Sequence, residues 1–204
     1  MLKKWKRVFN LKSINKNING VFFGFIQLYA TYSPQLECLY LTKENVKQVK
    51  QIVIETLKIS DKTASRYFKK IIEENLISEI ILENQIVYKI NSIDTNVDNY
   101  QIVNYNVLDY ILNNSINEFD LQIYVYLLNK YNYKKNYEFT LKELSLSFGY
   151  SETYKGKNYK NFKECLSNLK KLNIIDFEIV YTEKIIESKT VYVPAYKIIY
   201  VRCE

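Results

Sequence analysis

Apolar positions along the chain recur with a period that changes in a fixed order. Val21 to Tyr32 is an apolar run of helical length, interrupted by Gly24 and Gln27. Cys38 to Thr42 then reads as a short strand, with Thr42 placed to cap a second helix. From Lys43 to Leu57, Val46, Val49, Val53 and Leu57 fall near helical spacing, and the opposite face is Lys, Gln and Glu. Lys58-Ile59 breaks the pattern, and Ser60 caps a third helix running to about Asn75. Its inner stripe is Ala64, Phe68, Ile71 and Ile72. Leu76 to Leu82 and Ile86 to Ile90 are β-rich runs around Glu83-Asn84-Gln85 and predict a hairpin.

The same order is written again 98 positions later: Phe139-Thr140 stands for Leu41-Thr42, and Asn173-Ile174-Ile175 for Asn75-Leu76-Ile77. Internal repeats fix architecture, and two copies predict two sibling domains. In the second copy Glu118 to Tyr131 is the first helix, Tyr137 to Thr140 the strand and Leu141 to Phe148 the second helix. Gly149 is able to end that helix at positive φ. After a turn from Tyr150 to Lys157, Asn158 to Leu172 is the third helix, with Phe162, Cys165, Leu166 and Leu169 inside. Ile174 to Thr182 and Thr190 to Val201 make a larger hairpin with the apolar pair Ile185-Ile186 at its tip. The helix from Glu118 is apolar on two sides, so one side faces its own core and the other the first domain or a second subunit.

These boundaries divide the chain into a basic arm (1–18), a first domain (19–91), a linker (92–105) and a second domain (106–204). In the arm, Leu2, Trp5 and Phe9 share one helical face with Lys and Arg opposite. That predicts a helix docked on the body, an arm that tracks along DNA, or a helix lying on a membrane surface. Tyr100 to Tyr105 alternates weakly and offers one further strand. The fold class is α+β, two such domains packed together.

Composition narrows the chemistry. The 204 residues hold 29 Lys and Arg against 22 Asp and Glu, a net charge of +7 that suits a polyanionic partner. Abundant Lys, Asn, Ile and Tyr with only 4 Gly is also the bias of an AT-rich genome, so no single Lys counts as a contact. Without any histidine, imidazole bases, Ser-His-Asp triads and histidine metal sites are excluded. The four glycines form no phosphate-binding loop. The chain reads as no enzyme, with no cofactor, metal or small-molecule ligand. Cys38, Cys165 and Cys203 are scattered and suggest a reducing, cytoplasmic setting. No apolar run approaches the ~20 residues of a membrane span.

The segment Ser60-Asp61-Lys62-Thr63-Ala64-Ser65-Arg66-Tyr67-Phe68-Lys69-Lys70-Ile71-Ile72, leaving through Glu74-Asn75-Leu76-Ile77, resembles the recognition helix and wing entry of a winged helix-turn-helix domain. That resemblance implies a third helix in the major groove and a hairpin on adjacent backbone. Arg66 then suits a guanine edge and Thr63 a thymine methyl. Lys69 and Lys70 suit phosphates, as do the backbone N–H groups from Ser60 to Lys62. In the second copy Lys155, Lys157, Tyr159, Lys160, Asn161 and Lys163 take these parts, Asn161 being able to read adenine. Lys184 and Lys189 flank the second wing tip.

Two such domains in about 200 residues resemble the tandem winged-helix replication initiators of plasmids and phages. The stretches Tyr100-Gln101-Ile102-Val103, Leu121 to Leu128 and Asn173-Ile174-Ile175 carry the likeness to those of AT-rich Gram-positive elements. It implies double-stranded DNA at a repeated or palindromic site, and a homodimer as a further possibility. A transcriptional regulator and a relaxosome accessory protein remain open within DNA binding. A tandem winged-helix adaptor for proteins remains open outside it.

Overall fold

The architecture is that of a computed structural model, which describes residues 5–9, 18–34, 36–91, 100–150, 157–186 and 189–203. The chain is mixed α and β, with seven helices and three antiparallel sheets among the described residues.

The first unit opens with α1 (Gly20–Tyr29), capped by the Asn19 side chain and buried from Gly20 to Leu28. The apolar run does not continue as helix to Tyr32. It leaves α1 at Ala30 and turns into β2 (Thr31–Ser33), which pairs with β3 (Cys38–Thr42). Helix α2 (Lys43–Leu57) starts in a capping box, Thr42 taking the Asn45 N–H while the Asn45 side chain accepts the Thr42 N–H. Lys58 ends it at φ 52°, and Ser60 caps α3 (Asp61–Glu73). The hairpin is β4 (Ile77–Leu82) and β5 (Gln85–Ile90). Gln85 pairs with Leu82, so the turn is two residues, Glu83 and Asn84, both at positive φ as a type I′ turn requires. The sheet order is β2-β3-β5-β4.

The second unit repeats this order: α5 (Asp120–Tyr133), β7 (Glu138–Phe139), α6 (Leu141–Ser147), α7 (Lys157–Lys171), β8 (Ile175–Ile186) and β9 (Lys189–Val201), with sheet order β7-β9-β8. The likeness reaches single hydrogen bonds. Thr140 and Glu143 form the capping box of α6, 98 positions after Thr42 and Asn45. Asn75 and Asn173 each end the third helix at positive φ. Leu76 N–H then reaches Ile71 O, and Ile174 N–H reaches Leu169 O, the Schellman pattern. Gly149 takes φ 77° after α6.

Three expectations need correction. Residues Trp5–Phe9 form a strand, β1, and not part of a helix, because their partner is remote: β6 (Tyr100–Asn104), out of reach of a local periodicity argument. A helix, α4 (Tyr105–Asn113), comes directly after β6 and ahead of the first helix expected at Glu118, with Val107, Leu108, Ile111 and Leu112 buried at helical spacing. The strands of the second hairpin run further than Thr182 and Thr190: β8 reaches Ile186 and β9 starts at Lys189, so Ile185 and Ile186 stand in the last pairs before the tip. A two-stranded ladder closes backbone hydrogen bonds whether or not its side chains are buried, so Glu183-Lys184 does not end it.

The two units share one core. Helix α5 is buried from Asp120 to Asn129, and its two apolar sides face its own unit and α1. Gly24 lets the two helices approach: a Cβ there would lie 2.4 Å from Leu121 and 2.7 Å from Leu112. The β1–β6 register also respects the repeat. Trp5 pairs with Asn104 and Lys6 with Val103, and a shift of 98 exchanges these two pairs, as a twofold axis through the ribbon would.

Candidate nucleic-acid interface

Helix α3 is strongly amphipathic. Ala64, Phe68 and Ile71 are buried on one side. At 100° per residue, Lys62, Arg66 and Lys69 point the opposite way together with Glu73, while Thr63 and Lys70 lie at the edge. Lys62, Arg66 and Lys69 are exposed, and Thr63 and Lys70 half-buried. Ser60 Oγ accepts the Thr63 N–H at 3.2 Å and meets the Thr63 hydroxyl at 3.0 Å, so both hydroxyls serve the cap. Only the Thr63 methyl is then left for a thymine. Arg66 lies 5.8 Å from the centre of the Tyr67 ring. Lys69 pairs with Glu73 at 3.3 Å, an exposed i,i+4 pair that water and salt screen heavily. The neighbouring helix adds a cation that the recognition-helix pattern does not include: Lys50 of α2 reaches Ser65 Oγ at 3.4 Å and lies over Phe68. The apolar stripe of α2 gives no sign of it, because the contact forms only when α2 and α3 pack.

Helix α7 buries Phe162, Cys165, Leu166 and Leu169. Directly opposite are Lys160, Ser167 and Lys171, with Lys163 further round, all exposed. Lys160 faces Glu164 at 3.8 Å. Tyr159 and Asn161 lie on the two flanks and are half-buried. The Asn161 carbonyl accepts from Asn117 at 3.4 Å, so this residue stands on the side of α7 that meets the α4–α5 connection. Lys157 opens the helix, and Lys155 lies outside the described residues. Lys170 is turned inward to structure: it pairs with Asp176 at 2.8 Å, donates to Phe177 O at 2.6 Å and covers the Phe177 ring. That ion pair holds the Asp176 carboxyl below its ordinary value.

The hairpins differ. The first is six residues per strand. In the second, Phe177, Tyr196 and Ile198 are buried at the base, and the same face runs outward as exposed Ile179, Tyr181 and Tyr192. Tyr192 O–H donates to Glu183 at 2.8 Å. In its ladder Lys184 pairs with Val191 and Lys189 with Ile186.

The structure thus gathers Lys62, Arg66 and Lys69 on one face, and Lys160 and Lys163 on the matching helix of the other unit. Among the described residues no group of three or more His, Cys, Asp and Glu is placed to hold a metal ion. No helix there is long and apolar enough to cross a membrane. No protein-family model and no curated protein matches the chain.

Proposed function

We propose that both units are winged helix-turn-helix domains and that the protein binds double-stranded DNA, α3 and α7 entering two successive major grooves. The observation that carries this reading is the outer face of α3, where Lys62, Arg66 and Lys69 stand opposite the buried Ala64-Phe68-Ile71 stripe. An exposed cationic face on the second helix of a helix–helix pair is what phosphate neutralisation and base reading both need. Arg66 takes the base-reading role, since its planar fork matches guanine O6 and N7. Lys62, Lys69, Lys70, Lys160 and Lys163 take phosphates. The repeat-respecting β1–β6 register favours an inverted pair of half-sites.

The resemblance to tandem replication initiators makes origin recognition the role we carry forward. A regulator or a transfer-origin marker would use the same interface at another locus. DNA as partner agrees with three cysteines that form no disulfide, as in a cytoplasmic protein.

The test is fluorescence anisotropy on random duplex over a salt series, then selection of bound sequences. The expected result is affinity that falls steeply with salt and an enriched two-part motif. No binding at 50 mM salt would contradict the reading. Function would then pass to the exposed Ile179, Tyr181 and Tyr192 face, as in a protein-binding adaptor.

A further inference from the structure

We propose that a polar clamp centred on the buried Asp120 is the positioning device for α7, and that it fixes the helix along and about its own axis. The segment 114–120, between α4 and α5, grips three residues of α7 at helical spacing. Asn117 donates to the Asn161 carbonyl at 3.4 Å. The Cys165 thiol donates to Asn117 Oδ1 at 2.9 Å. Asn168 Nδ2 donates both to Asn114 O at 3.1 Å and to Asp120 Oδ2 at 3.2 Å. Asp120 Oδ2 also accepts the N–H groups of Ile116 (2.6 Å) and Asn117 (3.4 Å), so one carboxylate oxygen ties the loop backbone to the helix.

The apolar contacts of Phe162, Leu166 and Leu169 hold α7 against the core, but burial is non-directional and tolerates sliding or rotation. Hydrogen bonds at fixed angles do not. The site is dry. Asp120 is fully buried, and its Oδ1 has no hydrogen-bond partner. Burial raises the Asp120 carboxyl above its ordinary value, and the bonds from Ile116, Asn117 and Asn168 oppose that rise. Burial also pushes the Cys165 thiol up, which keeps it a donor. The matching positions of α3, 98 residues earlier, are Thr63, Tyr67 and Lys70, and among the described residues they form no such grip.

The first readout needs no DNA. In a Cys38→Ser/Cys203→Ser background, native-state alkylation of Cys165 reports how often α7 lifts from segment 114–120. Asn168→Ala removes two bonds from a half-buried position, so the chain still folds. The expected result is labelling about tenfold faster with little change in Tm. Asp120→Asn, which keeps an acceptor without the charge, should fall between the two. Labelling that is unchanged, or that rises only in proportion to global unfolding, would overturn the clamp.

The second readout rests on the DNA reading. Asn168→Ala should lose protection at the half-site of α7 and keep that of α3. Equal loss at both half-sites would also overturn the clamp. If the parent protein binds no DNA, the functional reading fails and the labelling comparison alone decides the clamp.

Discussion

The two units are built on one plan and stabilised in different ways. In the first, α1 contributes Phe22, Ile26 and Leu28 to a core that is almost wholly apolar. In the second, the positions 98 residues on are Asp120, Tyr124 and Tyr126. Tyr124 O–H donates to Arg202 O at 2.8 Å, and Tyr126 O–H meets Tyr137 and Ser147 at 2.9 and 3.1 Å. Both third helices are held by packing; α3 adds one bond from Lys50 to Ser65, and α7 adds the bonds from segment 114–120.

The aromatic core breaks this comparison most strongly. Phe162 packs against Phe119, Phe148 and Tyr150 with ring centres 5.1, 5.6 and 5.9 Å away, whereas Phe68 meets Phe22 and Tyr88. Phe162→Ala should cost about 3–5 kcal/mol and Phe68→Ala less, as read by urea unfolding. Because the core is continuous across α1 and α5, each should lower one shared transition. Two separate transitions would mean two independent cores.

The interface between units comes next. Gly24→Val drives a side chain into Leu121 and Leu112, and overpacking of this kind costs about 1–3 kcal/mol. Calorimetry should show the loss. A stabilised variant would mean that α1 and α5 do not meet closely at Gly24.

Alkali should find the second unit first. Burial raises the Tyr124 hydroxyl far above its ordinary value of 10.0, and that of Tyr137 as well. The unfolded chain ionises these groups near pH 10 while the folded chain keeps its protons. Stability therefore falls as pH rises through 10, by about 1.4 kcal/mol per pH unit for each tyrosine. Tyr124→Phe should flatten this slope, and an unchanged slope would place the alkaline lability elsewhere.

Smaller effects sharpen the likeness. Thr42→Ala and Thr140→Ala each remove the same capping box, so each should cost about 1 kcal/mol. Lys69→Ala should shift stability by less than about 0.5 kcal/mol, since its ion pair is exposed, yet should make the salt dependence of DNA binding shallower by about 1 in slope.

Legibility in the sequence divides along the same line. Features set within a few residues were readable: the Thr42 and Ser60 caps, the Gly149 turn, the stripes of α3 and α7, and the existence of both hairpins. Features set by distant partners were not. The strand at Trp5–Phe9 exists because β6 lies beside it, and its Leu2-Trp5-Phe9 spacing mimics a helix. The three-residue β2 is held by β3. The candidate face of α3 could be read from helical period alone, because its residues share one element. The clamp could not, since Asp120, Asn117, Cys165 and Asn168 come together only when α7 docks. Its one trace in the sequence is Asp120, a carboxylate at the start of a helix that is apolar on two sides.

The central claim is that α3 and α7 read DNA as a pair. Hydroxyl-radical footprinting of the parent protein on its selected sequence tests it most directly, with Arg66→Ala alongside. The account predicts two protected windows about one helical turn apart, about 10 base pairs, with Arg66→Ala weakening binding about 10- to 100-fold and relaxing one base position. One window, or an Arg66→Ala pattern identical to the parent on every sequence, would contradict it.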